Sequence, residues 1–329
     1  MHMGAVTLGL WVAAGMRHLP TPHRWHRRPP SSSAVRMARS RRLGLRSTGT
    51  SSPGKWRQMG QCGSDARPDD WSTLDAAYRF AQANGMPFQM HVMMWGNQQP
   101  EWIKSVRAVE QRREIAPWFA TVAQRYPDIA LLEVVNEPLN DPPSKADTGG
   151  GNYLQALGGS GDSGWEWGLQ AFRLARQHVP HNKRMINDYS ITNSAQATQK
   201  YLQIVRLLQR EHLVDAIGVQ KHAFETTPNV AMSVHRDNLD ALAATCLPIY
   251  ITEFDLDGPT DTQQLADYQR VFPLFWERPA MHGITLWGFR PGVWRDKEAA
   301  YLIRADGTER PALTWLRDYV AAHPGTPTP

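Results

Sequence analysis

The sequence predicts an α/β fold, a (β/α)8 TIM barrel whose first two βα units are missing or replaced by an atypical N-terminal arm. Short apolar, β-branched runs alternate with helical patterns from about residue 69 onward, which is typical of a parallel sheet with right-handed crossovers. Two of these runs end in a glutamate, Glu137 and Glu253, and barrel enzymes place their chemistry at the C-terminal ends of strands. A chain of 329 residues that is 41% apolar can bury one large core of this kind.

The elements follow one another in a regular order. The first helix is capped by Asp70 and ends near Gly85, and its apolar face comprises Trp71, Leu74, Tyr78 and Ala81. Strands are then predicted over 88–95, 129–137, 184–187, 214–220, 249–253 and 283–287. Further helices are predicted over 110–125, 166–178, a segment marked by Tyr201, Ile204, Val205 and Leu208, 230–244, 261–276 and 311–320. A Gly- and Ser-rich loop, 142–164, follows Glu137 and is expected to shape the leaving-group side of a site there.

The charge distribution separates an arm from the barrel. The formal net charge is +5, but residues 1–64 hold eleven Lys and Arg and no Asp or Glu, which leaves 25 basic against 31 acidic residues in the rest. We therefore predict a basic, low-order arm over 1–64, a catalytic barrel over 65–322 and a short tail over 323–329. Nucleic-acid binding by the arm has only this charge in its favour, since no motif accompanies it.

Cysteine content and targeting signals say little. Cys62 and Cys246 imply no disulfide framework. The apolar stretch from Met3 to Met16 is too short to span a membrane and resembles a signal-peptide core, although it lacks a basic leader and a small-residue cleavage site.

Six motifs lie in order at the predicted strand ends. They are the segment Phe88 to Trp102, Val135-Asn-Glu-Pro138, Ile186-Asn-Asp-Tyr189, Ile217-Gly-Val-Gln-Lys-His222, Ile251-Thr-Glu-Phe-Asp255 and Ile284-Thr-Leu-Trp-Gly288. Together these motifs, over roughly residues 69–322, resemble family 10 of the glycoside hydrolases, the retaining endo-1,4-β-xylanases. The resemblance implies hydrolysis of internal β-1,4-xylosidic bonds of xylan by a chain that acts as a monomer and is secreted or periplasmic.

The two glutamates take complementary roles under this resemblance. A retaining glycosidase holds two carboxyl groups about 5–5.5 Å apart and works through a covalent glycosyl-enzyme. By resemblance Glu253 is the nucleophile and Glu137 the acid/base, whose pKa is expected to be higher than that of Glu253. Such chemistry needs no metal or other cofactor, and none is expected. Without the resemblance, the alternative is a pair of solvated acids at strand ends.

Further residues are expected to bind the sugar or to orient the glutamates. Asn136 resembles the family's ligand for the sugar 2-hydroxyl, although a strand-end turn residue is the alternative. Gln220 and His222 alternate along one strand and are expected to orient Glu253, with Asp255 behind His222. By resemblance, the glycone subsites are lined by His91, Trp95 and Gln98, and sugar faces stack on Trp287 and Trp294.

The chain departs from the family pattern in two places. Gly96 stands where many members have a second His, which is expected to loosen one polar wall of the cleft. Upstream, the family's second strand ends in a motif like Thr-Pro-Glu-Asn-x-x-Lys-Trp, whereas this chain has Ser51-Ser-Pro-Gly-Lys-Trp56. A back-translation of residues 47–62 can be chosen that, with one nucleotide restored near Pro53, spells the missing motif in another frame, so we hypothesise that the arm is a frame-shifted translation. The competing hypothesis is a genuine basic tail on a shortened barrel.

The arm also affects which activity is expected. Removing two strands from a barrel exposes edges and interior, so we expect poor solubility unless the arm covers them.

Besides a xylanase, two alternatives stay open: another retaining β-glycanase of the β-glucanase or cellulase type, and a catalytically impaired glycan-binding barrel.

Overall fold

The strands of this computed structural model close into a barrel. The structure describes residues 8–13, 43–50, 71–97, 103, 106–143, 153–226 and 230–323. Within these ranges eight strands follow one another around the barrel in chain order, and the first strand is hydrogen-bonded to the last. The predicted barrel is thus confirmed, and of the predicted arm only two strands fall among the described residues.

The strands and helices alternate from the third strand onward. The strands are β1 (Leu8–Ala13), β2 (Leu43–Thr50), β3 (Phe88–His91), β4 (Ile129–Asn136), β5 (Lys183–Asp188), β6 (Ala216–Lys221), β7 (Ile249–Phe254) and β8 (Met281–Leu286). The α-helices are α1 (Ser72–Ala83), α2 (Ala108–Arg125), α3 (Glu166–His178), α4 (Ala195–Arg210), α5 (Met232–Ala243), α6 (Asp261–Trp276) and α7 (Pro311–Ala322). Short 3-10 helices lie at Gln155–Leu157 and Ala223–Glu225.

The sheet is parallel except at β1. Strands β2 to β8 pair in parallel, whereas β1 is antiparallel to both β2 and β8. The parallel sheet expected from about residue 69 onward is confirmed in β3 to β8, and the antiparallel strand lies in the arm, where no strand was predicted. Parallel neighbours need a crossover of a dozen or more residues, usually helical, and the arm's sequence has no helical periodicity to supply one. The stretch that resembles a signal-peptide core contributes β1.

The predicted boundaries agree closely with the structure, with one clear exception. Helices α3 and α6 have the predicted limits. The strand predicted over 88–95 is shorter, because it ends at His91 and only Met94 returns to the sheet, as an isolated bridge to Val135. Helix α1 has Trp71 at its N-cap, Asp70 lies outside the described residues, and Gly85 after the helix has the positive φ of 62° that glycine tolerates.

The lumen of the barrel is layered. A small apolar cluster of Leu131, Met185, Ala216 and Tyr250, one residue from each of β4 to β7, is separate from the main core between sheet and helices. Two residues further along the strands, on the same face, the buried side chains become polar: Glu133, Asn187 and Thr252. The barrel is thus closed by apolar packing below and is polar towards the C-terminal ends of its strands. Among the described residues no helix is long and apolar enough to cross a membrane.

Candidate active site

Two buried glutamates lie at the C-terminal ends of β4 and β7. Glu137 directly follows β4 and is 7% exposed, and Glu253 is the penultimate residue of β7 and is 5% exposed. Glu137 has a φ of 53°, an uncommon conformation for a residue with a side chain, and its backbone N–H donates to the carbonyl of Asn187 over 2.7 Å. Such conformations persist where the surroundings hold them, and they are frequent at active sites.

The carboxyl group of Glu137 accepts one hydrogen bond on each oxygen. Trp95 Nε1 donates to Oε2 over 2.6 Å, and Gln220 Nε2 donates to Oε1 over 2.8 Å. Burial and the nearby charge of Glu253 raise the pKa of Glu137 to about 8, against the lowering effect of the Gln220 hydrogen bond. At neutral pH this carboxyl group therefore carries its proton and can act as an acid.

The carboxylate of Glu253 lies beside a charged histidine. His222 Nε2 is 3.3 Å from Glu253 Oε2, and His222 Nδ1 is 2.5 Å from Asp255 Oδ2. Burial alone would lower the pKa of His222, but the negative charge of Asp255 raises it to about 10. Asp255 also accepts from the backbone N–H of Ala223 over 3.0 Å, so the imidazole is held from behind in a fixed orientation.

The side-chain amide of Asn187 links Glu253 to Glu133 and Asn136 on β4. Asn187 Nδ2 lies 3.2 Å from Glu253 Oε1, 3.0 Å from Asn136 Oδ1 and 3.1 Å from Glu133 Oε1. Asn187 Oδ1 accepts from Thr252, which fixes which end of the amide donates. In the described part of the chain Asn136 Nδ2 is buried without a hydrogen-bond partner, so this donor is available to a bound molecule.

A third acid lies below the pair. His91 Nδ1 is 3.0 Å from Glu133 Oε2, and Glu133 is fully buried in the middle of β4. Although burial opposes it, the charge and the hydrogen bond of Glu133 raise the pKa of His91 to about 9. His91, Glu133 and Glu253 each bring one ligand atom within 4.8 Å of the others, a set that could hold a metal ion. A protonated imidazole competes with that use, because the metal needs the neutral ring.

Aromatic rings surround the glutamates. The ring of Trp287 lies 5.6 Å from that of His91, and the ring of Trp294 lies 5.0 Å from that of His222. Trp294 is 45% exposed and therefore presents an apolar face to solvent beside the buried pair. Indole faces of this kind suit the flat apolar surface of a pyranose ring.

Gly96 is a point of close backbone approach. Its N–H donates to the carbonyl of Asp141 over 3.0 Å, and a Cβ built on Gly96 would lie 2.1 Å from the carbonyl oxygens of Asp141 and Pro142. The expectation of a loosened wall at this position is therefore wrong. The backbone of the loop after Glu137 fills the space that a side chain at position 96 would need.

Substituting Gly96 tests this close approach. We expect Gly96→Ala to lower the free energy of unfolding by about 1–3 kcal/mol, because the backbone of the loop must move to admit the methyl group. Thermal unfolding followed by calorimetry measures the effect. Gly168→Ala in α3 is the control: nothing lies within 4 Å of its Cβ, and we expect about 0.5–1 kcal/mol of stabilisation. Equal stability of Gly96→Ala and the parent chain would contradict the close approach.

The structure brings together the predicted residues that it describes, with one change of partner. Gln220 was expected to orient Glu253 but donates to Glu137 and, over 3.3 Å, to Asn136. His222 lies two residues further along the same face of the strand, where it contacts Glu253. Gln220 instead reaches across the lumen to the residues at the end of β4. Gln98 lies outside the described residues.

Two residues of the network escaped the sequence analysis. Asn187 belongs to one of the quoted motifs, but its three contacts involve other strands and have no local signal. Glu133 had a signal, since an acid in the middle of the apolar run of β4 is unusual unless it is paired. As a whole the site holds a protonated carboxyl group and a second carboxyl group beside a cationic imidazole, which suits acid-assisted substitution at carbon.

Comparison with known proteins places the chain in a family. Residues 54–319 match glycosyl hydrolase family 10, and the match begins inside the predicted arm. Endo-1,4-beta-xylanase B of Cellvibrio japonicus is 33% identical over 250 residues, which cover 75% of this chain and 38% of that protein. The chain thus spans about two fifths of that relative's length.

Solved structures of xylanases share the fold. Xylanase 10B of Thermotoga petrophila in complex with xylobiose superposes with a TM-score of 0.65 at 21% identity, over 77% of this chain and 80% of that one. A thermostable mutant of the xylanase Xyn10A of Cellvibrio japonicus gives a TM-score of 0.68 at 21% identity, over 88% and 93%. Identities this low show a common barrel and no more.

Proposed function

Because the chain belongs to glycosyl hydrolase family 10, we propose that it is an endo-1,4-β-xylanase that hydrolyses xylan with retention of configuration. The observation that carries the proposal is the pair of unlike glutamates at the barrel mouth. Glu137 is held protonated by burial, whereas Glu253 lies beside the cationic His222. The relative that is 33% identical is named as an endo-1,4-beta-xylanase, and one solved relative contains xylobiose.

The proposed reaction has two steps. In the first, Glu253 attacks the anomeric carbon while Glu137 gives its proton to the leaving oxygen, and a covalent glycosyl-enzyme forms. Esterified Glu253 carries no charge, so the pKa of Glu137 falls and its carboxylate can take a proton from water in the second step. Asn136 Nδ2, the buried donor without a partner among described residues, is available to the sugar 2-hydroxyl.

The deciding experiment is hydrolysis by the full 329-residue chain. Xylan, barley β-glucan and carboxymethylcellulose are incubated with the chain, and the sugars released are measured. We expect xylo-oligosaccharides whose new reducing ends appear first as the β-anomer in proton NMR. Release from the glucans alone would favour another retaining β-glycanase, binding without release would favour a glycan-binding barrel, and an initial α-anomer would contradict retention.

The pH dependence follows from the raised pKa of Glu137. The first step needs the protonated acid, which predominates below its pKa of about 8. We therefore expect kcat/KM for xylohexaose to fall by about tenfold per pH unit above that value. In Glu137→Gln no proton is lost at this position, so the alkaline fall should disappear from the residual rate. If kcat/KM of the variant still falls above this pH, the fall is due to a group other than Glu137.

The other expectations rest on this proposal. The chain is expected to act outside the cytoplasm, since xylan does not cross membranes. It is also expected to act as a monomer. Residues 1–64 contribute β1 and β2, which is compatible both with a frame-shifted arm and with a genuine basic arm. Independent sequencing of the coding DNA decides: a single clean frame through residue 53 would rule out the frame shift.

A further inference from the structure

A fully buried ion pair lies directly behind His222. Lys221 and Glu225 are both inaccessible to solvent, and Lys221 Nζ is 2.5 Å from Glu225 Oε2. Lys221 is the last residue of β6, so its side chain points away from the lumen, opposite to Gln220 and His222. Burying two charges is unfavourable unless further hydrogen bonds satisfy them, and an apolar pair of similar volume often serves stability equally well. Packing alone therefore does not account for this pair.

The carboxylate of Glu225 also holds two backbone turns. Its Oε1 accepts the N–H of His222 over 3.1 Å, and its Oε2 accepts the N–H of Ser190 over 2.8 Å. Ser190 follows β5 and has a φ of 55°, a conformation that a serine adopts only where it is held. One side chain thus ties the turn after β5 to the turn after β6.

Each of these turns leads to one of the two glutamates. His222 contacts Glu253, as described above. Two residues before Ser190, Asp188 accepts the N–H of Leu139 over 2.8 Å and the amide of Asn140 over 2.7 Å, and these residues follow Glu137. The Glu225 carboxylate is therefore hydrogen-bonded directly to His222, the partner of Glu253, and is a short chain of contacts from Glu137.

From this geometry we infer that Glu225, held by Lys221, is a positioning residue that fixes His222 against Glu253. The inference rests on the proposed function only for its kinetic consequence. Displacing His222 by a fraction of an ångström disturbs the attacking carboxylate but leaves the sugar contacts in place. The turnover number should fall while KM stays nearly constant.

Paired substitutions avoid leaving a lone charge in the interior. In Lys221→Met/Glu225→Met both charges and the acceptor are removed, whereas Lys221→Met/Glu225→Gln keeps one acceptor oxygen for the two N–H groups. We expect kcat on xylohexaose to fall by about 10- to 100-fold in the first and by less in the second, with KM within about twofold of the parent. The control is Arg184→Met/Asp215→Asn, which removes an ion pair of 2.7 Å at the opposite end of β5 and should lower Tm without lowering kcat.

A second measurement needs no turnover. The imidazole nitrogens of His222 are observed by NMR in the full chain, and we expect their shifts to move in both Lys221/Glu225 variants and to stay unchanged in the control. An unchanged kcat together with unchanged His222 shifts in a folded variant would overturn the inference. Should the Met/Met variant fail to fold, the Met/Gln variant decides by the same criteria. If the parent chain releases no sugar, the proposed function fails while the His222 shifts still test the positioning role.

Discussion

Replacing Glu253 by Gln is expected to lower kcat on xylan by at least about 10⁴-fold, because the amide cannot form the glycosyl ester. The side chain keeps its size, so the hydrogen bond from Asn187 and the fold should survive. Release of reducing sugar measures the loss, and thermal unfolding checks that the variant is folded. In the parent chain, a 2-deoxy-2-fluoro-xylobioside with a good leaving group should label Glu253, which mass spectrometry of the peptide identifies.

An exposed carboxylate is the matched control for this substitution. Glu298→Gln changes the same atoms at the surface and should leave kcat unchanged. Label on Glu133 instead of Glu253 would contradict the proposed nucleophile, since Glu133 is the other acid beside His91. Substantial activity in Glu253→Gln would contradict it as well.

Replacing Glu137 by Ala is expected to lower kcat on xylan by about 10²- to 10⁴-fold, the usual contribution of a positioned acid/base. The loss should depend on the leaving group. The dinitrophenolate of a dinitrophenyl xylobioside leaves without needing a proton, so the rate of the first step should be nearly that of the parent chain. The second step needs a base to activate water and should become slow. A burst of dinitrophenol followed by slow turnover is the expected stopped-flow trace.

Azide distinguishes an acid/base role of Glu137 from a structural role. It attacks the glycosyl-enzyme without a general base, so it should accelerate turnover of the aryl substrate in Glu137→Ala and give the β-glycosyl azide. The parent chain, in which Glu137 is proposed to activate water, should not respond. Lack of both burst and azide acceleration in a folded variant would contradict the acid/base assignment.

Periodicity predicted the framework of the site more completely than its contacts. Helical and strand patterns predicted β3 to β8 and placed Glu137 and Glu253 at strand ends, because each pattern is local. The partner of Gln220 depends on how far a side chain reaches across the lumen, and the three contacts of Asn187 join residues that are 51 to 66 positions apart in the sequence. No local pattern encodes these distances.

The arm shows a different limit. Its composition predicted little order, and within residues 1–64 the structure describes only β1 and β2, the two strands that complete the barrel. Backbone hydrogen bonds to an open sheet edge can recruit a segment whatever its side chains, so strand pairing of this kind is poorly visible in composition.

The wall beside Trp95 has a consequence for engineering this cleft. It consists of the backbone carbonyls of Asp141 and Pro142 packed on Gly96, so main-chain atoms and not side chains form its surface. Substitutions at these two positions would therefore change its surface only where they move the backbone. Inserting or deleting residues in the segment after Glu137 would move the wall itself, and loop length is the variable that should be diversified to change which substrates fit.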